Sequence, residues 1–303
     1  MKIAITIGTG NSGCGAVHDF LLQCTNYKSP FNGQEFRLIN DPDGILNLYH
    51  NFYKNTSINN PSNAIMRFKN YVSNLENLEK NINNKKTKIF RKKILSLTDE
   101  YIKNITTLKY NAFPQFVAIQ TSYHKKKIFN LKRRIFKSTR TDSLFKMYLP
   151  AEENIFFKQS KIYLHKLIRE HLKNKELNQI VLDQAVSLLN FKEVFSYFDN
   201  VKVILVTRDP RGIYNSVKNR KSAAYPDDSL KIWTQWYSQT MKKYNEYKSL
   251  IPKKYKKNIL EIKFEDFVLN YEKEQKKILN FLNVKKNNNI FDVEKSKFNA
   301  FKS

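Results

Sequence analysis

The sequence predicts an α/β fold, a parallel β-sheet flanked by helices, carrying a large helical insertion. Three observations lead there. Short β-branched apolar runs alternate with helix-length segments near both ends of the 303-residue chain, and that alternation implies parallel strands joined by right-handed crossovers. The middle is written instead in long Lys/Glu/Leu/Ile segments, with few breakers beyond Pro61, Pro114 and Pro150, a helical pattern. Finally, Gly8, Gly10, Gly13 and Gly15, four of only seven glycines, sit directly behind the first apolar run. The expectation is one domain over residues 1–303, with a helical insertion of unassigned role at 60–175.

Each element has its own signal. Ile3-Ala4-Ile5-Thr6-Ile7 reads as a strand, the glycine turn follows, and a helix runs over about 15–25. Gln34–Ile39 reads as a second strand, ended by the turn residues Asn40-Asp41-Pro42-Asp43-Gly44. Helical patterning then occupies about 45–175. Strand and helix alternate again from Leu177, with strands at Gln179–Leu182, Val201–Val206 and Asn258–Phe264. The helices between and after them are expected at Ala185–Phe198, Arg211–Lys221, Asp228–Leu250 and about Tyr271–Leu282. Trp233 and Trp236 are spaced for one face of the third of these helices and read as core.

Composition narrows the function classes. An apolar fraction of 41% and an aromatic fraction of 14% belong to a folded chain. No apolar run approaches the roughly 20 residues of a membrane span, and the N-terminus does not fit a signal peptide. Two cysteines, Cys14 and Cys24, form neither a disulfide framework nor a metal set, so the expectations are no metal and a cytoplasmic location. The net charge of +27 favours acidic partners, including an anionic surface. The Lys/Asn richness of runs such as Asn81–Lys86 equally allows a solvated surface of biased composition, and it specifies no nucleic acid. Lys125–Lys137, with Ile128, Phe129, Ile135 and Phe136 interleaved, reads as an amphipathic helix or as a basic wall.

The glycine turn is the best clue to chemistry. A strand, a glycine-rich turn and a helix N-terminus place backbone N–H groups and a partial positive charge around one point, which suits phosphate. Gly8 to Gly13 has the spacing of the common nucleoside-triphosphate loop, but Cys14 and Gly15 stand where its Lys and Ser/Thr belong. The dinucleotide pattern fits only loosely through Gly8, Gly10 and Gly13. Cys14 in the loop reads as a packed thiol or as one activated by the helix N-terminus.

A second segment gives the turn its meaning. Val203-Ile204-Leu205-Val206-Thr207-Arg208-Asp209-Pro210-Arg211, with Ser216 on the following helix, is a buried strand ending in arginine at the edge where ligands bind. It resembles the 3′-phosphate-binding motif of sulfotransferases that use 3′-phosphoadenosine 5′-phosphosulfate (PAPS). Gly10-Asn11-Ser12-Gly13-Cys14-Gly15-Ala16 is similar to that family's 5′-phosphosulfate loop. Lys263-Phe264-Glu265-Asp266-Phe267 and the helix ending in Phe281-Leu282 resemble its later aromatic-Glu-Asp segment. The three matches cover roughly 1–45 and 178–285.

The resemblance implies a P-loop-like sheet and loop, PAPS as donor, and no metal. It implies that Gly10, Asn11, Ser12, Gly13, Cys14 and Gly15 hold the phosphosulfate while Arg208 and Ser216 hold the 3′-phosphate. The acceptor would be a hydroxyl, on a glycan or glycolipid. Asn11 departs from the pattern, because the family usually has lysine there. Either another cation reaches the site, from Lys125–Lys127 or Lys132–Arg134, or transfer is weakened. Three groups are candidates for the base. Glu35 lies where glycan sulfotransferases keep a glutamate, and otherwise pairs with Arg37. Asp183 ends a strand and otherwise caps a helix. His18 lies on the loop helix and otherwise packs. The rival readings are a P-loop small-molecule kinase and a non-catalytic binder of anionic polymers.

Overall fold

The computed structural model describes residues 1–30, 34–55, 57–75, 85–112, 114, 127, 131, 145–173, 178–190, 193–220, 225, 226 and 229–289, with backbone alone for 85–91 and 220. In chain order the elements begin with β1 (Lys2–Gly8), α1 (Cys14–Cys24), α2 (Ile45–Tyr49), a π-turn at His50–Lys54, α3 (Asn60–Leu75) and α4 (Lys85–Asn104). Next come β2 (Thr106–Ala112), β3 (Phe145–Pro150), α5 (Glu153–His171), β4 (Gln179–Asp183), α6 (Val194–Tyr197) and β5 (Val201–Thr207). The chain continues through α7 (Pro210–Arg220), α8 (Leu230–Ser249), α9 (Lys253–Lys256), β6 (Ile259–Lys263), α10 (Phe264–Leu269) and α11 (Tyr271–Leu282).

Two compact units result, Met1–Asn40 with Ile168–Ser303, and Asp41–Leu167. The first holds a four-stranded sheet in the order β4-β1-β5-β6. All three pairings are parallel, so the fold is α/β. β1 lies between two partners and is buried from Ile3 to Gly8. Strands of a parallel sheet are covered on both faces, which is why β1, β4 and β5 read as continuous apolar runs. The core on one face joins Val17, Phe20 and Leu21 of α1 to Phe267, Ile278 and Leu282 near the C-terminus. Phe20 meets Phe267 edge-on at 6.0 Å and Tyr271 at 6.3 Å. Elsewhere Ile213, Val217 and Trp233 form a smaller cluster, with Trp236 and Tyr225 packed against it.

The second unit has its own aromatic core. Tyr101 and Tyr163 stack at 4.4 Å, and Phe68 lies edge-on to both. Their hydroxyls are paired, Tyr101 with Ser160 at 2.7 Å and Tyr163 with Thr98 at 2.8 Å.

Three expectations are corrected. The helical patterning expected over 45–175 is broken by β2 and β3, an antiparallel pair running from Thr106↔Pro150 to Ala112↔Phe145 with one register shift between Thr106 and Leu108. Thr106, Thr107, Tyr110 and Tyr148 are strand formers that a count of Lys and Leu overlooks. Gln34–Ile39 is not a strand. Only Glu35 bridges, to Asp183, and the chain then turns, with Asn40 N–H bonding the Arg37 carbonyl at 3.1 Å. Phe36, Leu38 and Ile39 are all buried, so the alternating pattern marks anchors of a turn. Among the described residues of Ala185–Phe198, the α-helix is confined to Val194–Tyr197. Gln184 takes φ 50°, and Asn190 N–H closes a turn on Ser187. Asn190 is also held by the Asn40 side chain, at 2.8 Å. The segment is therefore fixed by turn chemistry while Ala185, Val186 and Leu188 stay buried.

Because Phe20 is fully buried in this core, Phe20→Ala is expected to destabilise the fold by about 3–5 kcal/mol. Urea unfolding should show this as a lower midpoint at unchanged slope.

Candidate active site

The glycine loop leaves β1 at Gly8 and closes by two short bonds, Ser12 N–H to the Thr9 carbonyl and Ala16 N–H to the Gly13 carbonyl, each 3.0 Å. Asn11 and Gly13 take positive φ, 61° and 89°. An added Cβ at Gly13 would fall 2.1 Å from the Phe264 ring, and one at Gly10 would fall 2.0 Å from the Tyr225 hydroxyl. Bare backbone is therefore required where these aromatic side chains close on the loop. The N-terminus of α1 has no side-chain cap, so its partial positive charge faces the loop. The Ser12 hydroxyl is fully buried and meets the Cys14 thiol, with no partner of ordinary geometry among the described residues. A buried hydroxyl left with so weak a partner is poorly satisfied, which suits a site built to receive an anion.

The strand-end arginine and the helix serine meet. Arg208 Nη1 donates to Ser216 Oγ at 3.0 Å and to the Asn11 carbonyl at 3.0 Å. Its guanidinium lies 4.8 Å from the centre of the Phe264 ring. Phe264 follows Lys263, the register partner of Thr207. The ring thus leaves β6 beside the end of β5 and touches both Arg208 and Gly13. Glu265 accepts the Asp209 N–H at 2.9 Å. Asp209 also forks onto Arg211, at 2.6 and 3.0 Å, and its carboxyl is held down to about 2 by that guanidinium. With Arg211 89% exposed, the pair contributes little stability, but it fixes the turn into α7. The loop, the Arg208–Ser216 segment and the Phe264–Glu265 segment form one contact network.

The three candidate bases occupy different settings. His18 is fully buried in α1, with Nε2 3.2 Å from Ser29 Oγ and Nδ1 3.6 Å from Asp19. Asp183 is 1% exposed, and it caps no helix because turns, not a helix, follow it directly. Its Oδ1 accepts the Thr6 hydroxyl at 2.7 Å. Burial raises its pKa from 3.8 to about 6, against the nearby His18 and the Thr6 bond. Glu35 stands on the accessible edge, its side chain 38% exposed and ion-paired with Arg37 at 2.7 Å. Of the three, Glu35 alone offers a carboxylate to solvent.

Two residues without a sequence signal complete the site. Gln184 Nε2 donates to the Gly8 carbonyl at 3.3 Å and to Cys14 Sγ at 3.0 Å. Tyr225 presses its hydroxyl on Gly10 and its ring on Trp236 at 5.3 Å. Neither stands in a recognisable motif, because each arrives through a loop. Cys14 is a packed thiol, pushed up by burial and by Asp183, the reverse of an activated nucleophile. Lys125, Lys126 and Lys132–Arg134 lie outside the described residues. Among the described residues no cluster of His, Cys, Asp and Glu could hold a metal, and no helix is long and apolar enough to cross a membrane.

The Asp183 acid has a consequence for stability. The folded state keeps a proton that the unfolded chain releases between pH 3.8 and about 6. This group therefore favours folding at acid pH, and the contribution is lost as pH rises through 6. That rise corresponds to roughly 3 kcal/mol. Asp183→Asn should flatten the stability profile over this window, measured by denaturant unfolding at stepped pH.

Comparison with known proteins bears on this arrangement. A family model described as "Sulfotransferase family" matches residues 93–288, more than half of the chain. The matched span takes in β4 to β6, Arg208, Ser216 and Phe264, and begins after the glycine loop. A solved sulfotransferase domain from the Synechococcus PCC 7002 olefin synthase is similar at 13% identity and a TM-score of 0.46, covering 100% of this chain and 83% of that one. No curated protein matches the sequence.

Proposed function

Since the chain belongs to the sulfotransferase family, we propose that it moves a sulfuryl group from PAPS to a hydroxyl, with carbohydrate as the acceptor class. One observation carries the reading. Arg208 grips Ser216 and, through the Asn11 carbonyl, the glycine loop, so groups suited to two phosphates of one nucleotide share a single network. Gly10 to Gly15 would surround the 5′-phosphosulfate, with the buried Ser12 hydroxyl finding its partner there. Arg208 and Ser216 would take the 3′-phosphate by charge-assisted bonds. A carbohydrate acceptor and a glutamate base belong together in the resemblance, and Glu35 is the accessible carboxylate of the three candidates. Both cysteines are buried free thiols, which fits the proposed cytoplasmic location.

In this mechanism Glu35 accepts the proton of the acceptor hydroxyl. The freed oxygen forms a bond to sulfur on one side as the bond from sulfur to the 5′-phosphate oxygen breaks on the other. The electron pair leaves with 3′,5′-ADP. Loop amides and the N-terminus of α1 face the oxygens where charge gathers, which is electrostatic stabilisation by groups already in place.

Nucleotide selectivity tests the donor. Calorimetry should find 3′,5′-ADP bound at least about tenfold tighter than 5′-ADP, about 1.4 kcal/mol, with Arg208→Ala removing most of the difference. Equal affinities would sink the PAPS reading. The base is tested by turnover. Glu35→Gln should lose about 10²–10⁴-fold in kcat while 3′,5′-ADP binding stays nearly intact, and retention of more than about a tenth of activity would make Glu35 structural.

A further inference from the structure

Resting on the PAPS reading, we propose that Arg37 supplies the positive charge that the loop lacks at Asn11. The neutral Asn11 leaves the loop without a side-chain cation, and Arg208 is already committed to Ser216 and the Asn11 carbonyl. Arg37 arrives from the other side. Glu35 is bridged to Asp183, and Phe36 N–H bonds the Asp183 carbonyl at 2.7 Å. Residues 35–37 therefore run along the end of β4, beside Gln184, whose amide bonds the Gly8 carbonyl and Cys14 Sγ. The guanidinium is 53% exposed and tied to Glu35 at 2.7 Å, so it lies on the rim with the proposed base.

The loop senses this pair. Burial raises the pKa of the Tyr225 hydroxyl, which lies against Gly10, and the charges of Glu35 and Arg37 reach it, the first adding to that rise and the second opposing it. Cys14, raised chiefly by burial and by Asp183, is also pushed up by Glu35. Glu35 thus acts on the loop itself, and Arg37 on the tyrosine that closes on it.

The pairing also has the right timing. At rest the Glu35 carboxylate offsets Arg37. When Glu35 takes the acceptor proton, that offset vanishes as negative charge builds on the departing phosphate. Arg37 then acts most strongly in the transition state, which is where an interaction accelerates a reaction.

The test combines calorimetry and kinetics on the full chain, using Arg37→Gln, Arg37→Lys, Asn11→Lys and the Arg37→Gln/Asn11→Lys pair. Arg37→Gln should weaken 3′,5′-ADP about tenfold, leave adenosine 3′-monophosphate, which lacks the 5′-phosphate, within about twofold, and lower kcat with PAPS about tenfold or more. Arg37→Lys should keep most of the affinity, which separates charge from local structure. Asn11→Lys should restore both affinity and turnover in the Arg37→Gln background. Equal effects on the two nucleotides, no effect on either, or failure of Asn11→Lys to restore would each overturn the role of Arg37 while the PAPS reading stands. If the wild-type protein does not prefer 3′,5′-ADP over 5′-ADP, the PAPS reading falls and takes this inference with it.

Discussion

Arg208 is the residue through which the site is assembled. One of its nitrogens reaches the Ser216 hydroxyl eight residues on and the Asn11 carbonyl 197 residues back. Its flat face lies on Phe264. A guanidinium can do this because it is planar, always charged and able to donate in several directions while its face packs on an aromatic ring. Lysine has a comparable reach but no plane to lay on the ring. The glycine loop, the start of α7 and the end of β6 have no covalent reason to meet. Their common contact with Arg208 at the carboxyl end of the sheet joins them.

Glycines make that contact possible. At Gly13 the loop must turn through positive φ and admit the Phe264 ring where a Cβ would lie. At Gly10 the obstacle to any side chain is Tyr225. In each case an aromatic side chain fills the space that a side chain on the loop would need. The loop is thus held by two aromatic contacts, Phe264 on Gly13 and Tyr225 on Gly10.

The acidic groups divide along the same edge. Asp183 and Glu35 are bridged neighbours, yet one is sealed against Thr6 while the other stands in solvent beside Arg37. Burial raises the pKa of the first because a charged carboxylate cannot be hydrated there. Below about pH 6 the buried acid is neutral and held by Thr6. An exposed carboxylate beside a cation can exchange a proton with a bound hydroxyl. Sequence position alone does not separate them, since each falls near one terminus of a segment that reads as a strand.

The parallel strands, the glycine turn and the Arg208…Ser216 spacing were legible in the sequence because they depend on local order. A β-branched run, a left-handed turn and an eight-residue step into a helix are set by neighbours along the chain. The ion pair of Glu35 with Arg37 was legible for the same reason, at two residues' separation. The turns at Phe36–Asn40 and Gln184–Asn190 were misread, because their apolar residues are anchors placed by long-range packing, and a periodic pattern cannot distinguish an anchor from a strand or helix face. Tyr225 on Gly10, Gln184 on Cys14 and the burial of His18 and Asp183 carry no local signature at all. What the sequence by itself determined was the list of parts and the kind of anion they suit. Only the tertiary structure decided which carboxylate is exposed and which aromatic rings hold the loop, because burial and through-space distance arise only when remote segments pack.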